Sequence, residues 1–125
     1  MRVAEIDKGF VRAPPEEVYA IVRHPAGYPG WWPRVRADGE GLRFPVLGSV
    51  SVGTAGVRDG IELLVTVAGP RARGHLQWYL EPFKEGTVVY GITDVQTARR
   101  WSAARVLRHR SSMRRAMVAL KTKLE

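Results

Sequence analysis

Apolar and polar positions alternate at the start of the chain. In residues 2–12, Ala4, Ile6, Lys8 and Phe10 fall on one side, and Glu5, Asp7 and Val11 on the other, the period-two pattern of a strand. The pattern changes at Ala13-Pro14-Pro15-Glu16-Glu17-Val18-Tyr19-Ala20-Ile21-Val22-Arg23. Prolines and acids at its beginning and an arginine at its end suit the unpaired N–H groups and the dipole of a short helix. Pro25 ends that helix after about two turns. Residues 24–33 are punctuated by Pro and Gly yet carry Tyr28, Trp31 and Trp32, so this stretch is expected to fold down as a lid or corner.

The middle of the chain reads as strands at Arg43–Leu47, Ser49–Thr54, Ile61–Val67, Leu76–Glu81 and Thr87–Val95. Short turns at Gly48, Asp59-Gly60, Gly69-Pro70 and Lys84-Glu85-Gly86 favour antiparallel neighbours joined by hairpins. Ile61, Leu63, Val65 and Val67 share one face; Leu76, Trp78 and Leu80 oppose Gln77, Tyr79 and Glu81. In the last strand Val88, Tyr90 and Ile92 oppose Val89, Gly91, Thr93 and Val95, so it is apolar on both faces, which permits a homodimer contact. The final segment changes period again. Val106, Met113, Met117, Leu120 and Leu124 recur at helical spacing with His109 and Ala116 beside them, while Arg105, Arg108, Arg115 and Lys123 lie opposite. The expected fold is a single α+β domain over residues 1–125, a curved antiparallel sheet of about six strands covered by one long C-terminal helix.

Composition narrows the function classes. The chain has 125 residues, 45% hydrophobic and 26% charged, and no cysteine, which excludes disulfides, thiolate metal sites and thiol nucleophiles. No apolar run approaches the ~20 residues of a membrane helix, and the expectation is a soluble cytoplasmic protein. The net charge of +8 resides wholly in residues 99–125, which hold nine basic residues and the single acid Glu125. Such asymmetry suits nucleic acid, an anionic membrane surface, or merely the solvated back of a covering helix. The apolar stripe already accounts for the helix, so the last reading ranks first. Binding of nucleic acid or an anionic surface through Arg105, Arg108 and Arg115 is the alternative.

Catalytic templates fail. Gly48-Ser49-Val50-Ser51-Val52-Gly53 has valine where a nucleophile elbow needs serine, and Gly53-Thr54-Ala55-Gly56 lacks the Lys-Ser/Thr of a phosphate loop. His24, His75 and His109 have no ligand spacing, so no metal or cofactor is expected. The aromatics are more informative. Tyr28, Trp31, Trp32, Trp78, Tyr79 and Trp101 either fill a core or line an apolar pocket, with Met113 and Met117 as an adaptable wall.

Several segments in order resemble the START-related helix-grip (SRPBCC) superfamily and its polyketide cyclase/dehydrase-like group. They are Val11-Arg12-Ala13-Pro14-Pro15-Glu16-Glu17-Val18-Tyr19, Tyr28-Pro29-Gly30-Trp31-Trp32-Pro33, residues 74–82, residues 86–90, and the stretch from Asp94 through Trp101 to His109 and Met113. The resemblance implies a seven-stranded sheet gripping the last helix around a cavity for lipids, polyketides or other apolar molecules. One departure stands out: Ala68-Gly69-Pro70-Arg71-Ala72-Arg73 occupies a place where such proteins have a further strand, so that strand is expected to be absent or a stub. The implied function is binding of a small apolar ligand by Trp32, Trp78, Trp101, His109, Met113 and Met117. Should catalysis occur there, it would be polyketide cyclisation or dehydration with His109 as the proton carrier.

Overall fold

The computed structural model describes residues Met1–Glu125. Strand β1 (Arg2–Val11) leads into helix α1 (Pro15–Val22) and a 3₁₀ turn (Pro25–Gly30). There follow β2 (Arg36–Asp38), β3 (Gly41–Phe44), β4 (Gly48–Arg58), β5 (Glu62–Ala68), β6 (Ala72–Phe83) and β7 (Gly86–Thr97), and helix α2 (Ala103–Leu124) closes the chain. All seven strands form one antiparallel sheet in the order β1-β7-β6-β5-β4-β3-β2. From β2 to β7, neighbours in sequence are neighbours in space. Only β1 pairs at long range, with Arg2 opposite Gln96 and Val11 opposite Thr87. The sheet curls around α2, giving the helix-grip arrangement that the resemblance implies.

The inward residues follow the period-two pattern: Leu63, Val65 and Val67 from β5, Leu76, Trp78 and Leu80 from β6, Val89 and Val95 from β7. On β1 the face carrying Asp7 and Val11 turns inward, while Ile6 is left exposed. Helix α2 contributes His109, Ser112, Met113, Ala116, Met117 and Leu120. The Ser102 hydroxyl caps its first turn by accepting the Arg105 N–H at 3.2 Å, and Lys121 and Lys123 stand in its last turn, where the dipole favours cations.

Two expectations are corrected. The sheet has seven strands rather than about six, because Arg36–Asp38 adds an edge strand of three exposed residues with no apolar alternation to announce it. Nor is a strand lost at residues 68–73. The Gly69 N–H bonds the Ala72 carbonyl at 3.0 Å, so this stretch is the reversal of a tight β5–β6 hairpin. As for the homodimer contact expected of the last strand, β7 lies between β1 and β6, so only its outer face, with Val88, Tyr90 and Ile92 half-buried, is available.

Candidate functional site

The corner after α1 is built by hydrogen bonds among its aromatics. The Tyr28 hydroxyl donates to the Val22 carbonyl at 2.5 Å and accepts the Trp78 indole N–H at 3.0 Å. Burial pushes its hydroxyl pKa well above the usual tyrosine range. The Trp32 indole N–H reaches the Ser112 carbonyl and hydroxyl, both at 3.1 Å, which ties the corner to the middle of α2. Trp32 also lies edge-on to Phe44 and Trp78, with ring centroids 5.3 and 5.9 Å away. The indoles of Trp32 and Trp78 therefore keep a partner for their polar atom, whereas the Trp31 Nε1 beside them is buried without one.

Beneath α2 the sheet is hollowed by two glycines. A Cβ on Gly91 would stand 2.6 Å from Met113 Cε, 3.0 Å from Met117 Cε and 3.7 Å from the Trp78 ring. One on Gly9 would stand 3.1 Å from Met117 Cβ. The two methionines thus fill a depression that exists because these strand positions carry no side chain. Beside them His109 Nε2 and Thr93 Oγ1 share a buried hydrogen bond of 2.7 Å. Burial lowers the His109 pKa to about 4, leaving the imidazole neutral at pH 7. The Trp101 ring lies against it, with centroids 5.6 Å apart.

The structure thus places all six residues read as ligand-binding in the layer between sheet and helix: Trp32, Trp78, Trp101, His109, Met113 and Met117 are each no more than 6% exposed. They pack against one another, and the side chains themselves occupy the interior. None of the five principal clefts is lined by Trp32, Trp78, His109, Met113 or Met117. Trp101 alone reaches one, a recess of about 360 Å³ at the N-terminal end of α2.

Sequence reasoning passed over three features. Tyr28 was legible as an aromatic but not as the hydrogen-bond hub. Gly9 and Gly91 were legible only as isolated glycines inside strands, a sign of close approach. Asp7, buried on β1, lies 3.5 Å from Arg110 Nε and 3.7 Å from Arg114 Nε, and Glu5 lies 3.7 Å from Arg110 Nε. Its register over α2 had no local signature. No group of three His, Asp or Glu side chains comes together to hold a metal ion.

No family model matches the chain, and no curated protein matches its sequence. Solved structures do match its fold. A START superfamily protein from Mycobacterium smegmatis superposes with a TM-score of 0.76 at 13% identity, covering 98% of this chain and 96% of that one. The ZhuI aromatase/cyclase from Streptomyces sp. R1128 gives 0.70 at 13% identity, covering 99% and 94%. The Aha1 dimer from Colwellia psychrerythraea gives 0.70 at 16% identity, covering 98% and 96%. The chain has the START-like helix-grip fold of these proteins. No helix in it is long and apolar enough to cross a membrane.

Proposed function

We propose that the protein binds a small apolar ligand, lipid- or polyketide-like, between the sheet and α2, in the space that Met113 and Met117 fill over Gly9 and Gly91. The observation that carries this reading is the hollow itself. A core built only for stability would put side chains on the sheet at those positions; here two flexible thioethers fill the gap from the helix. An unbranched thioether with three rotatable bonds withdraws more readily than a branched side chain. The neutral His109–Thr93 pair at the edge of the hollow supplies one oriented polar contact. Pockets of this kind combine apolar walls with few polar groups. The fold shared with an aromatase/cyclase agrees with such a ligand. Any cyclisation or dehydration there would use His109 as base, since the imidazolium that could act as an acid is not populated at pH 7, together with confinement of the chain.

The test is uptake of N-phenyl-1-naphthylamine, an uncharged fluorescent probe, followed by native mass spectrometry. The expected result is one equivalent bound per chain. Met113→Ala should increase uptake by enlarging the hollow. Gly91→Ala should reduce it, because the added methyl meets the movable ends of both methionines. If the parent and Met113→Ala both remain empty while folded, the reading is overturned.

A further inference from the structure

The recess floored by Trp101 is one half of a larger feature. Val46, Pro70 and Trp101 form its apolar base, and Arg71, Arg99 and Arg105 line it. A second cleft of about 280 Å³ shares Val46 and Arg71 and adds Arg34, Arg36, Arg43 and Arg108. No carboxylate lines either cleft. None of the seven arginines has an acidic partner within 4 Å, whereas Arg110, Arg114 and Lys121 of α2 all do. The seven come from three separate stretches of chain: residues 34–43, leading into and through β2 and β3, the β5–β6 turn, and the entry and first turns of α2. Their convergence is therefore a product of the fold, not of the basic C-terminal segment.

Two local features show the fold working against its own stability here, and a third holds Arg71 in place. Arg36 and Arg43 are directly opposed across β2 and β3, where like charges repel. Val46 has φ +68° and Arg34 φ +66°, a left-handed conformation that is an outlier for a β-branched residue. Such strain concentrates where a ligand is held. The Arg71 stem is laid against Gly48, whose φ is +77° and at which a Cβ would stand only 2.8 Å from Arg71 Cδ. The Arg71 carbonyl accepts the Ala98 N–H at 2.9 Å, fixing the two walls of the recess together.

We infer that this paired cleft is a binding site for a small molecule carrying two or more phosphate groups, with Arg71 between them. Guanidinium forks match phosphate oxygens two at a time, as ammonium groups do not, and every basic residue in the clefts is arginine. The concavity and size favour a small ligand: the two adjoining recesses fall in the range of ligand pockets rather than of a flat polyanion track. No exposed aromatic stands among the arginines to stack a base, since Trp101 and Phe44 are both buried.

Isothermal titration with inorganic pyrophosphate tests the site directly, with orthophosphate, a 20-base-pair DNA duplex and phosphatidylserine vesicles as parallel arms. Pyrophosphate should bind one per chain and at least about tenfold more tightly than orthophosphate, weakening as salt is raised. Arg71→Gln should weaken it by about tenfold or more, and Arg43→Gln by several fold, without change in melting temperature. Arg58→Gln should have no effect, because β4 carries that residue to the far end of the strand from Gly48. Uptake of the uncharged probe should be the same in all three variants, so the two sites are scored separately. Tight binding of duplex or vesicles with none of pyrophosphate would overturn the inference, as would equal loss in Arg58→Gln.

Discussion

His109 is the residue at which burial and chemistry meet. It is 2% exposed, bonded to Thr93 and packed beside Trp101, and burial lowers its pKa from 6.5 to about 4. The folded protein therefore declines a proton that the unfolded chain accepts between these values. Stability contributed by the neutral ring is complete above about pH 6.5, falls as pH drops towards 4, and totals about 3 kcal/mol. His109→Gln keeps a polar group towards Thr93 but cannot titrate. Urea denaturation at pH 7, 5.5 and 4 should show the parent losing stability faster than the variant over that range. Equal slopes would mean that the ring is solvated in solution. The pattern along α2 placed His109 beside the apolar stripe, yet nothing in sequence gave its partner, because Thr93 belongs to a strand whose register depends on β1 and β6.

Among elements, those set by local contacts were the most legible. The period of α2 and the proline start of α1 are encoded within a few residues, and α2 spans Ala103–Leu124 with its predicted stripe inward. Strand β2 was not legible, since three exposed residues carry no pattern and are recruited by the edge of β3. The β6–β7 hairpin shows a local choice the fold overrides. Phe83 pairs with Gly86 around Lys84-Glu85, and Lys84 takes φ +53°, a position that glycine fills at no steric cost. Relief of roughly 1–2 kcal/mol of left-handed strain, less roughly 0.5–1 kcal/mol of extra chain entropy, makes Lys84→Gly stabilising by about 0.5–1 kcal/mol. A thermal melt should show a small rise. A fall would place the side chain's packing over Phe83 above the backbone term.

For the whole molecule, the pairing of β1 with β7 decides where stability is concentrated. It puts β7 between two long partners and under α2, while β2 is left at an edge and residues 53–59 of the β4–β5 hairpin stand exposed. Hydrogen exchange should accordingly be slowest in Val89–Val95 and fastest in Arg36–Asp38 and at the hairpin tip. Uniform protection would contradict this order. Charge is redistributed on the same scale. The basic excess of the last 27 residues reads in sequence as the solvated back of a helix, and Arg115 and Lys123 do stand exposed there. Arg110 and Arg114 instead reach Asp7, and Arg99, Arg105 and Arg108 join arginines from two other parts of the chain.

By itself the sequence determined the order of the elements other than β2, the antiparallel hairpins and the covering helix with its apolar stripe. These follow from periodicity and turn chemistry, which act over short distances along the chain. Tertiary structure alone decided the seventh strand, the inward turn of Asp7, the hollow that Gly9 and Gly91 open to two methionines, and the gathering of seven arginines around Val46. Each depends on strand register and on sheet curvature. Those are set by packing between residues far apart in the chain, for which no single segment carries a signal.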